Sequence, residues 1–412
     1  MATPAAIHRH QGVAVEKVPD ALAPPPGHPR FPLLDSLRGI AVLAAIVGHA
    51  AYLGGEVNAS FRGNLFGNLS MAPTVFFVLS AFLLYRPFVA GRLLGARTPT
   101  VREYGRRRFL RIAPLYWILL TLMAIYPGIP GVFSGDWWKY YGFLQIYVPA
   151  PGGIASAWTV CVEVSFYLAL PLYVAAVGRV TRRFSIRGAV CGELIALAIL
   201  GLGSALLRAL DLELLYTQLQ QTIVEMLLWF SLGLAMAVVS VWLQTGARPP
   251  APLRFLIERP SLSWAGAIVA YGVLAVLLET AGGVLLYSPG QWIAYHLISG
   301  LVALLLFIPG AFGDPARGVP RRLMSLRATA WVGKVSYSAY LLWGVVVEYL
   351  FNHGAGNWIP GHPAAAMVLA SLVVTLILAA VSYHLLERPI LRLKNSGHYL
   401  ARPSAATTRA TM

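Results

Sequence analysis

Ten apolar stretches run through this chain of 412 residues, each long enough to cross a lipid bilayer as a helix: roughly 33–53, 69–89, 110–126, 157–177, 188–207, 221–243, 262–279, 291–309, 329–351 and 363–385. A bilayer's hydrocarbon core is about 30 Å thick and takes about 20 residues of helix to span. Inside it every backbone N–H and C=O must be satisfied within its own segment, so stretches of this length are helices. The expected fold is therefore all-α, a polytopic transmembrane bundle of about ten spans. With 58% hydrophobic and 12% charged residues, the chain has more apolar surface than a soluble domain of its size needs.

The charges fix the expected topology. A formal net charge of +16 would suit a nucleic-acid partner if it were gathered into one basic domain. It is instead dispersed among short loops, so no nucleic-acid partner is expected. Arg86, Arg92, Arg97, Arg102, Arg106, Arg107, Arg108 and Arg111 separate the second and third stretches. Alternate loops downstream carry Arg179, Arg182, Arg183 and Arg187, then Arg248, Arg254 and Arg259, then Arg317, Arg321, Arg322 and Arg327. The intervening loops hold only Arg62, Lys139 and Arg208. Positively charged loops stay on the cytoplasmic side, so both termini are expected there. The division that follows is a cytoplasmic N-terminal arm over 1–32, Pro-rich and without a signal-peptide apolar core, a membrane-embedded domain over 33–390, and a flexible tail over 391–412. Cys161 and Cys191 both fall in apolar stretches, so neither a disulfide framework nor a metal site is indicated. P-loop, dinucleotide-type glycine and HExxH patterns are all missing from the sequence.

The first stretch, LDSLRGIAVLAAIVGHA, carries charge where a lipid-spanning helix should have none. Ionisable groups at such positions cost several kcal/mol and are functional candidates by default. At 100° per residue, Arg38 and His49 lie about 20° apart on one helix face, with Asp35 about 40° from His49. The two ends of this stripe are separated by about 16 Å of rise. Asp35 and Arg38 also fit a local i,i+3 ion pair, and His49 alone would fit a satisfied core residue.

Three further elements could complete a site. Glu163, in AWTVCVEVSFYLALPL, reaches a depth similar to His49 from the opposite chain direction, and a histidine with a carboxylate can act as a base and its orienter. The run RRRFLRIAPLYW places Arg108 and Arg111 three residues apart. Guanidinium groups bind phosphate bidentately, although ordinary positive-inside charge also explains the run. Tyr116, Lys334, Ser336, Tyr337, Tyr340 and Glu348 are lesser candidates. Cys161 is set aside as a nucleophile because an apolar site raises a thiol's pKa. The aromatic loop 127–156, with Trp137, Trp138, Tyr140 and Tyr141, fits a lid or an interfacial belt.

These motifs, with TVFFVLSAFLLYRPF, VGKVSYSAYLLW and YHLLERPI, resemble in order and spacing the acyltransferase family 3 membrane proteins. That family includes bacterial enzymes that O-acylate surface polysaccharides and others that acylate macrolides. The match covers about residues 33–390. Arg38 followed eleven positions later by His49 is its most specific element, Arg108 and Arg111 match the RxxR element, and Glu163 matches the glutamate before an FY pair, here Phe166 and Tyr167. Ala81 replaces a usual glycine, and Trp343 stands where many members have histidine. The resemblance implies a bacterial plasma-membrane O-acyltransferase that moves an acyl group, acetyl in the first instance, from acyl-CoA to a hydroxyl of a carbohydrate or glycosylated natural product. His49 and Glu163 would be catalytic. Arg38, Arg108 and Arg111 would bind the CoA phosphates, with Asp35 and Tyr337 in support and no metal. A proton-coupled transporter would also bury His, Glu and Arg in a bundle; it would show no acyl transfer.

Overall fold

The structure is a computed structural model that describes residues 31–148, 150, 152–209, 221–280, 287–314 and 316–393; the expected arm before residue 31 and the tail beyond 393 lie outside them. The described residues form helices and connecting turns, with no strand. A long helix stands at each expected position: α1 (Pro32–Leu53), α3 (Ala72–Leu94), α4 (Val101–Ile125), α6 (Ala157–Thr181), α7 (Ile186–Ala209), α8 (Ile223–Gln244), α10 (Pro260–Leu277), α11 (Pro289–Ala311), α13 (Arg327–Asn352) and α14 (Pro363–Ser382). Short helices α2 (Phe61–Gly67), α5 (Trp137–Tyr141), α9 (Ala251–Glu258) and α12 (Val319–Ser325) lie in the connections. A π-helical turn, Tyr383–Glu387, leads into α15 (Arg388–Leu393).

Local sequence explains where several helices begin. Thr100 and Glu103 form a reciprocal capping box at the start of α4, and Ser288 and Gln291 do the same for α11. Proline opens α1, α10, α11 and α14, where its missing N–H leaves no helical bond unmade.

Among the described residues, nine helical segments are long and apolar enough to cross a membrane. The long helix that falls short is α13, which carries Lys334, Ser336, Tyr337, Ser338, Tyr340 and Glu348. Its 26 residues still reach about 39 Å. It packs between α1 and α14, burying Ser336, Ser338 and Tyr340. The polarity that lowers its hydropathy is thus turned into the bundle rather than toward lipid. The opposite pattern appears on α14 and the turn after it, where Leu369, Val373, Ile377, Val381 and Leu385 form an exposed apolar stripe. Contiguous exposed apolar surface of this kind is what lipid covers.

Helix α1 stands at the centre. Leu33, Leu34, Leu37 and Ala41 join a core formed largely by α3, α8 and α11. Val42, Ile46 and Ala50 join a second core, formed with α4, α13 and α14. The crossing of α1 and α13 depends on two glycines. A methyl group at Gly39 would come within 2.8 Å of Gly333 N, and one at Gly333 within 2.1 Å of the Asp35 carbonyl oxygen. Small residues let helix backbones approach closely inside a membrane, and this contact sits directly beside Asp35 and Arg38.

Candidate active site

Two cavities lie along α1. The smaller, about 80 Å³, is lined by Arg38, Arg108 and Arg111 together with Glu163, Tyr167 and Tyr337. Five helices, α1, α3, α4, α6 and α13, line it, and α1 and α4 bring the three arginines predicted from the sequence together there. Arg38 Nη1 pairs with Asp35 Oδ1 at 3.0 Å, forming the i,i+3 ion pair that the spacing suggested. Arg111 Nη1 lies 2.6 Å from Glu387 Oε1 and its guanidinium sits over the Tyr337 ring, 5.4 Å from the centroid. Arg108 rests over Tyr167 at 5.9 Å, and its Nε is buried without a hydrogen-bond partner. Tyr337 is anchored by its hydroxyl, which donates to the Ile112 carbonyl at 2.9 Å.

Glu163 belongs to this arginine cavity. Ser80 donates to its Oε1 at 2.6 Å and Tyr167 to its Oε2 at 2.8 Å. No hydrogen bond joins it to His49. The depth argument brought both residues toward the same level, but α3 packs against both α1 and α6, and it is Ser80 of α3 that meets the carboxylate. Depth read from a sequence says nothing about which helix stands between two others.

His49 lines the second cavity, about 620 Å³, a volume typical of small-molecule sites. Its Nδ1 lies 3.0 Å from the Ala45 carbonyl oxygen. A carbonyl can only accept, so this contact places the proton on Nδ1 and leaves the Nε2 lone pair available. The imidazole packs on Trp343, with ring centroids 4.2 Å apart. Trp343, which stands where the resemblance would put a histidine, is thus in direct contact with His49. Trp158, Trp229, Trp292 and Tyr295 provide further aromatic wall, and Glu348 also lines this chamber.

Tyr340 lines both cavities. Thr159 donates to its hydroxyl at 3.0 Å, and Ser156 to its carbonyl at 2.9 Å, tying the start of α6 to α13. Of the remaining lesser candidates, Ser336 lines the smaller cavity, and the others have structural or peripheral placements. Tyr116 donates to the Tyr140 carbonyl at 3.1 Å, which with the Trp117–Tyr141 bond holds the aromatic loop against α4. Ser336 donates to its own helix at Gly333 and Lys334 is exposed. Cys161 is buried.

Two contributors escaped the sequence reading. Ser80 lay unremarked within TVFFVLSAF. Glu387 lay within YHLLERPI and is buried, accepting from Arg111 and, at 2.7 Å, from Ser338. Its signal was a lone carboxylate at the end of an apolar run. The π-helical turn that carries it is a departure from regular helix often found at functional sites.

The acyltransferase domain family matches residues 31–384, an interval that contains both cavities and every residue of the α1 stripe. The chain belongs to acyltransferase family 3. It is 24% identical over 385 residues to YrhL of Bacillus subtilis, a candidate peptidoglycan O-acetyltransferase, covering 88% of this chain and 55% of that one. The chain thus spans about half the length of that relative. It is 26% identical over 422 residues to the acyltransferase MdmB of Streptomyces mycarofaciens, covering 94% of this chain and 98% of its relative. No solved structure matches it. Membership assigns the domain to acyl transfer within a multi-pass helical bundle, and among the described residues no cluster of His, Cys, Asp and Glu could hold a metal ion.

Proposed function

We propose that this protein is a bacterial plasma-membrane O-acyltransferase that takes an acetyl or similarly short acyl group from acyl-CoA and places it on a hydroxyl of a carbohydrate or glycosylated natural product. The observation that carries the reading is the division of one bundle into two cavities, one with three guanidiniums and one with His49, meeting at Tyr340. CoA is a polyanion, and guanidinium groups are the side chains best shaped for its phosphates. With positive loops inside, the arginine end faces the cytoplasm, where acyl-CoA is available, and both termini share that side. An 80 Å³ cavity is too small for a nucleotide. The phosphates therefore bind at its mouth, near Arg38, Arg108 and Arg111, and only the slender pantetheine arm enters. The rise of about 16 Å from Arg38 to His49 is comparable to the length of that arm, so the thioester reaches His49 by passing Tyr340.

In the chemical step, His49 Nε2 removes the acceptor hydroxyl's proton as the oxygen attacks the thioester carbonyl. The tetrahedral intermediate collapses with cleavage of the C–S bond. The proton passes from His49 to the departing thiolate, giving the ester and free CoA. The Nδ1–H contact to Ala45 keeps the ring in the tautomer that this step requires. Glu163, held by Ser80 and Tyr167, offsets part of the positive charge in the donor cavity and fixes Tyr167 beneath Arg108. Asp35 holds Arg38. Both relatives named for acyl transfer support the activity.

The test is reconstitution in lipid nanodiscs with radiolabelled acetyl-CoA and cell-envelope glycans or glycosylated small molecules as acceptors. Acetyl-CoA-dependent labelling of an acceptor with release of CoA is expected. Arg108→Ala with Arg111→Ala should raise the KM for acetyl-CoA by about tenfold or more, each lost charge-assisted contact being worth about 1.5–3 kcal/mol. Labelling that does not depend on acetyl-CoA, or an unchanged KM, would count against the assignment.

A further inference from the structure

The His49 chamber and the donor cavity meet where the rings of Phe76 and Tyr340 pack together, 5.1 Å between centroids. On α3 the lining passes from donor cavity to chamber between Phe76 and Thr74, and on α13 it passes at Tyr340. Thr74 and Trp343 are therefore the first hydrogen-bonding side chains that α3 and α13 present to the chamber beyond that junction. Thr74 is fully buried and Trp343 nearly so, yet Thr74 Oγ1 and Trp343 Nε1 have no hydrogen-bond partner among the described residues. Comparable groups elsewhere in the chain are satisfied. Trp117, Trp229 and Trp264 donate to backbone carbonyls, and Thr121 and Thr181 bond the carbonyl four residues back along their helices. Native structures seldom leave buried polar atoms unsatisfied, and a ligand is one means of satisfying them.

We propose that Trp343 Nε1–H and Thr74 Oγ1–H form the oxyanion hole of the transfer reaction, donating to the thioester carbonyl oxygen as it becomes negative. This rests on the reading of His49 as the base and of acyl-CoA as the donor. The reaction brings two oxygens into the chamber. The acceptor hydroxyl has a proton to give and belongs at the His49 Nε2 lone pair. The thioester carbonyl oxygen can only accept, which suits an indole N–H, since that group can only donate. Trp343 packs on the imidazole, with ring centroids 4.2 Å apart, so donor and base flank one place, and a thioester that passes Tyr340 arrives between them. As the hydroxyl oxygen bonds to the carbonyl carbon, its proton moves to His49 and the carbonyl π pair moves onto oxygen, where the two donors hold it. When that pair re-forms the C=O bond, the C–S bond breaks, and the sulfur leaves with its electrons and takes the proton from His49. Donors already fixed around a developing charge, and shielded from water, stabilise the transition state more than the bound substrate.

The experiment measures kcat, the KM for acetyl-CoA and the thermal midpoint of the nanodisc-embedded protein, with an acceptor that the unaltered protein labels. Trp343→Phe keeps an aromatic ring but loses the N–H, and it should lower kcat by about 10²-fold or more, the usual loss for one oxyanion donor. The KM should stay within about threefold, because the contact is made in the transition state. Thr74→Val should lower kcat by about tenfold or more and leave the thermal midpoint unchanged or raised, since valine replaces an unbonded buried hydroxyl with an apolar group of the same shape. Thr74→Ser, which returns the hydroxyl, should recover most of that loss, and Trp343→His, which returns an N–H, should retain more activity than Trp343→Phe. A kcat within a few-fold of the parent in Trp343→Phe or Thr74→Val, a loss confined to KM, or a Thr74→Val protein whose midpoint falls together with its activity would overturn the proposal. Acetyl-CoA-dependent release of CoA by the unaltered protein is read first. Its absence would sink the O-acyltransferase reading and this proposal together, whereas its presence with unimpaired variants would sink this proposal alone.

Discussion

Replacing Glu387 with glutamine should damage donor binding although Glu387 lines neither cavity. Its carboxylate is buried, 2.6 Å from Arg111 Nη1 and 2.7 Å from Ser338 Oγ. Removing the charge leaves Arg111 in a cavity that already holds Arg38 and Arg108, with Asp35 committed to Arg38 and Glu163 as the acidic group in the lining. Breaking a buried ion pair by neutralising one partner costs about 3–5 kcal/mol. Glutamine keeps an oxygen where Arg111 donates, so the low end applies, and about 3 kcal/mol corresponds to a factor of about 100. The assay is kcat/KM for acetyl-CoA in nanodiscs, for Glu387→Gln, Arg111→Gln and the double variant. Glu387→Gln should lose between about tenfold and 100-fold. The double variant should be no worse than Arg111→Gln alone, because Glu387 acts through Arg111 and contacting residues couple by about 0.5–3 kcal/mol. Losses that simply multiply, or a Glu387→Gln enzyme within about twofold of the parent, would refute the argument that this carboxylate positions the arginine.

Other consequences follow from the packing. Gly333→Ala should force α1 and α13 apart, since the added methyl would sit 2.1 Å from the Asp35 carbonyl oxygen. Overpacking of this kind costs about 1–3 kcal/mol, so a lower thermal midpoint in detergent is expected, and an unchanged midpoint would contradict the close crossing. Tyr340→Ala should join the two cavities and relax donor selectivity, raising the ratio of butyryl-CoA to acetyl-CoA turnover. Tyr340→Phe should leave that ratio unchanged, because it removes only the contact with Thr159, worth about 1 kcal/mol. If neither variant moved the ratio, Tyr340 would not be the passage between the cavities.

The bundle was legible because spanning length and alternating arginine loops are one-dimensional signals. Each of the ten expected stretches became a long helix, including 329–351, whose polar residues make it the least membrane-like by composition. The Asp35–Arg38 pair was legible for the same reason, since i,i+3 spacing on a helix is geometry that the sequence contains. Arg38 on α1 meets Arg108 and Arg111 on α4, which spacing could not show; the order of motifs suggested it and the packing brought it about. The partner of Glu163 was not legible. Depth placed it near His49, whereas the lateral order of helices gave it to Ser80 and Tyr167. Glu387 was missed because a π-helical turn changes the face on which a residue emerges, and no 3.6-residue periodicity announces such a turn. Trp343 was noticed only as a departure from the family pattern. Its ring packs against the imidazole of His49, so the position that departs from the pattern stays beside the candidate base.

The central claim is that His49 carries acyl transfer from CoA, and its most direct test is His49→Ala in nanodiscs supplied with radiolabelled acetyl-CoA and an acceptor that the unaltered protein labels. His49 packs mainly on Trp343 and opens into a chamber, so the variant should insert, fold and bind acetyl-CoA at the arginine end. The account predicts a loss of labelling of about 10²–10⁴-fold, the usual contribution of a positioned general base, with acetyl-CoA affinity retained. Labelling within a few-fold of the unaltered protein, with acetyl-CoA bound as before, would contradict it.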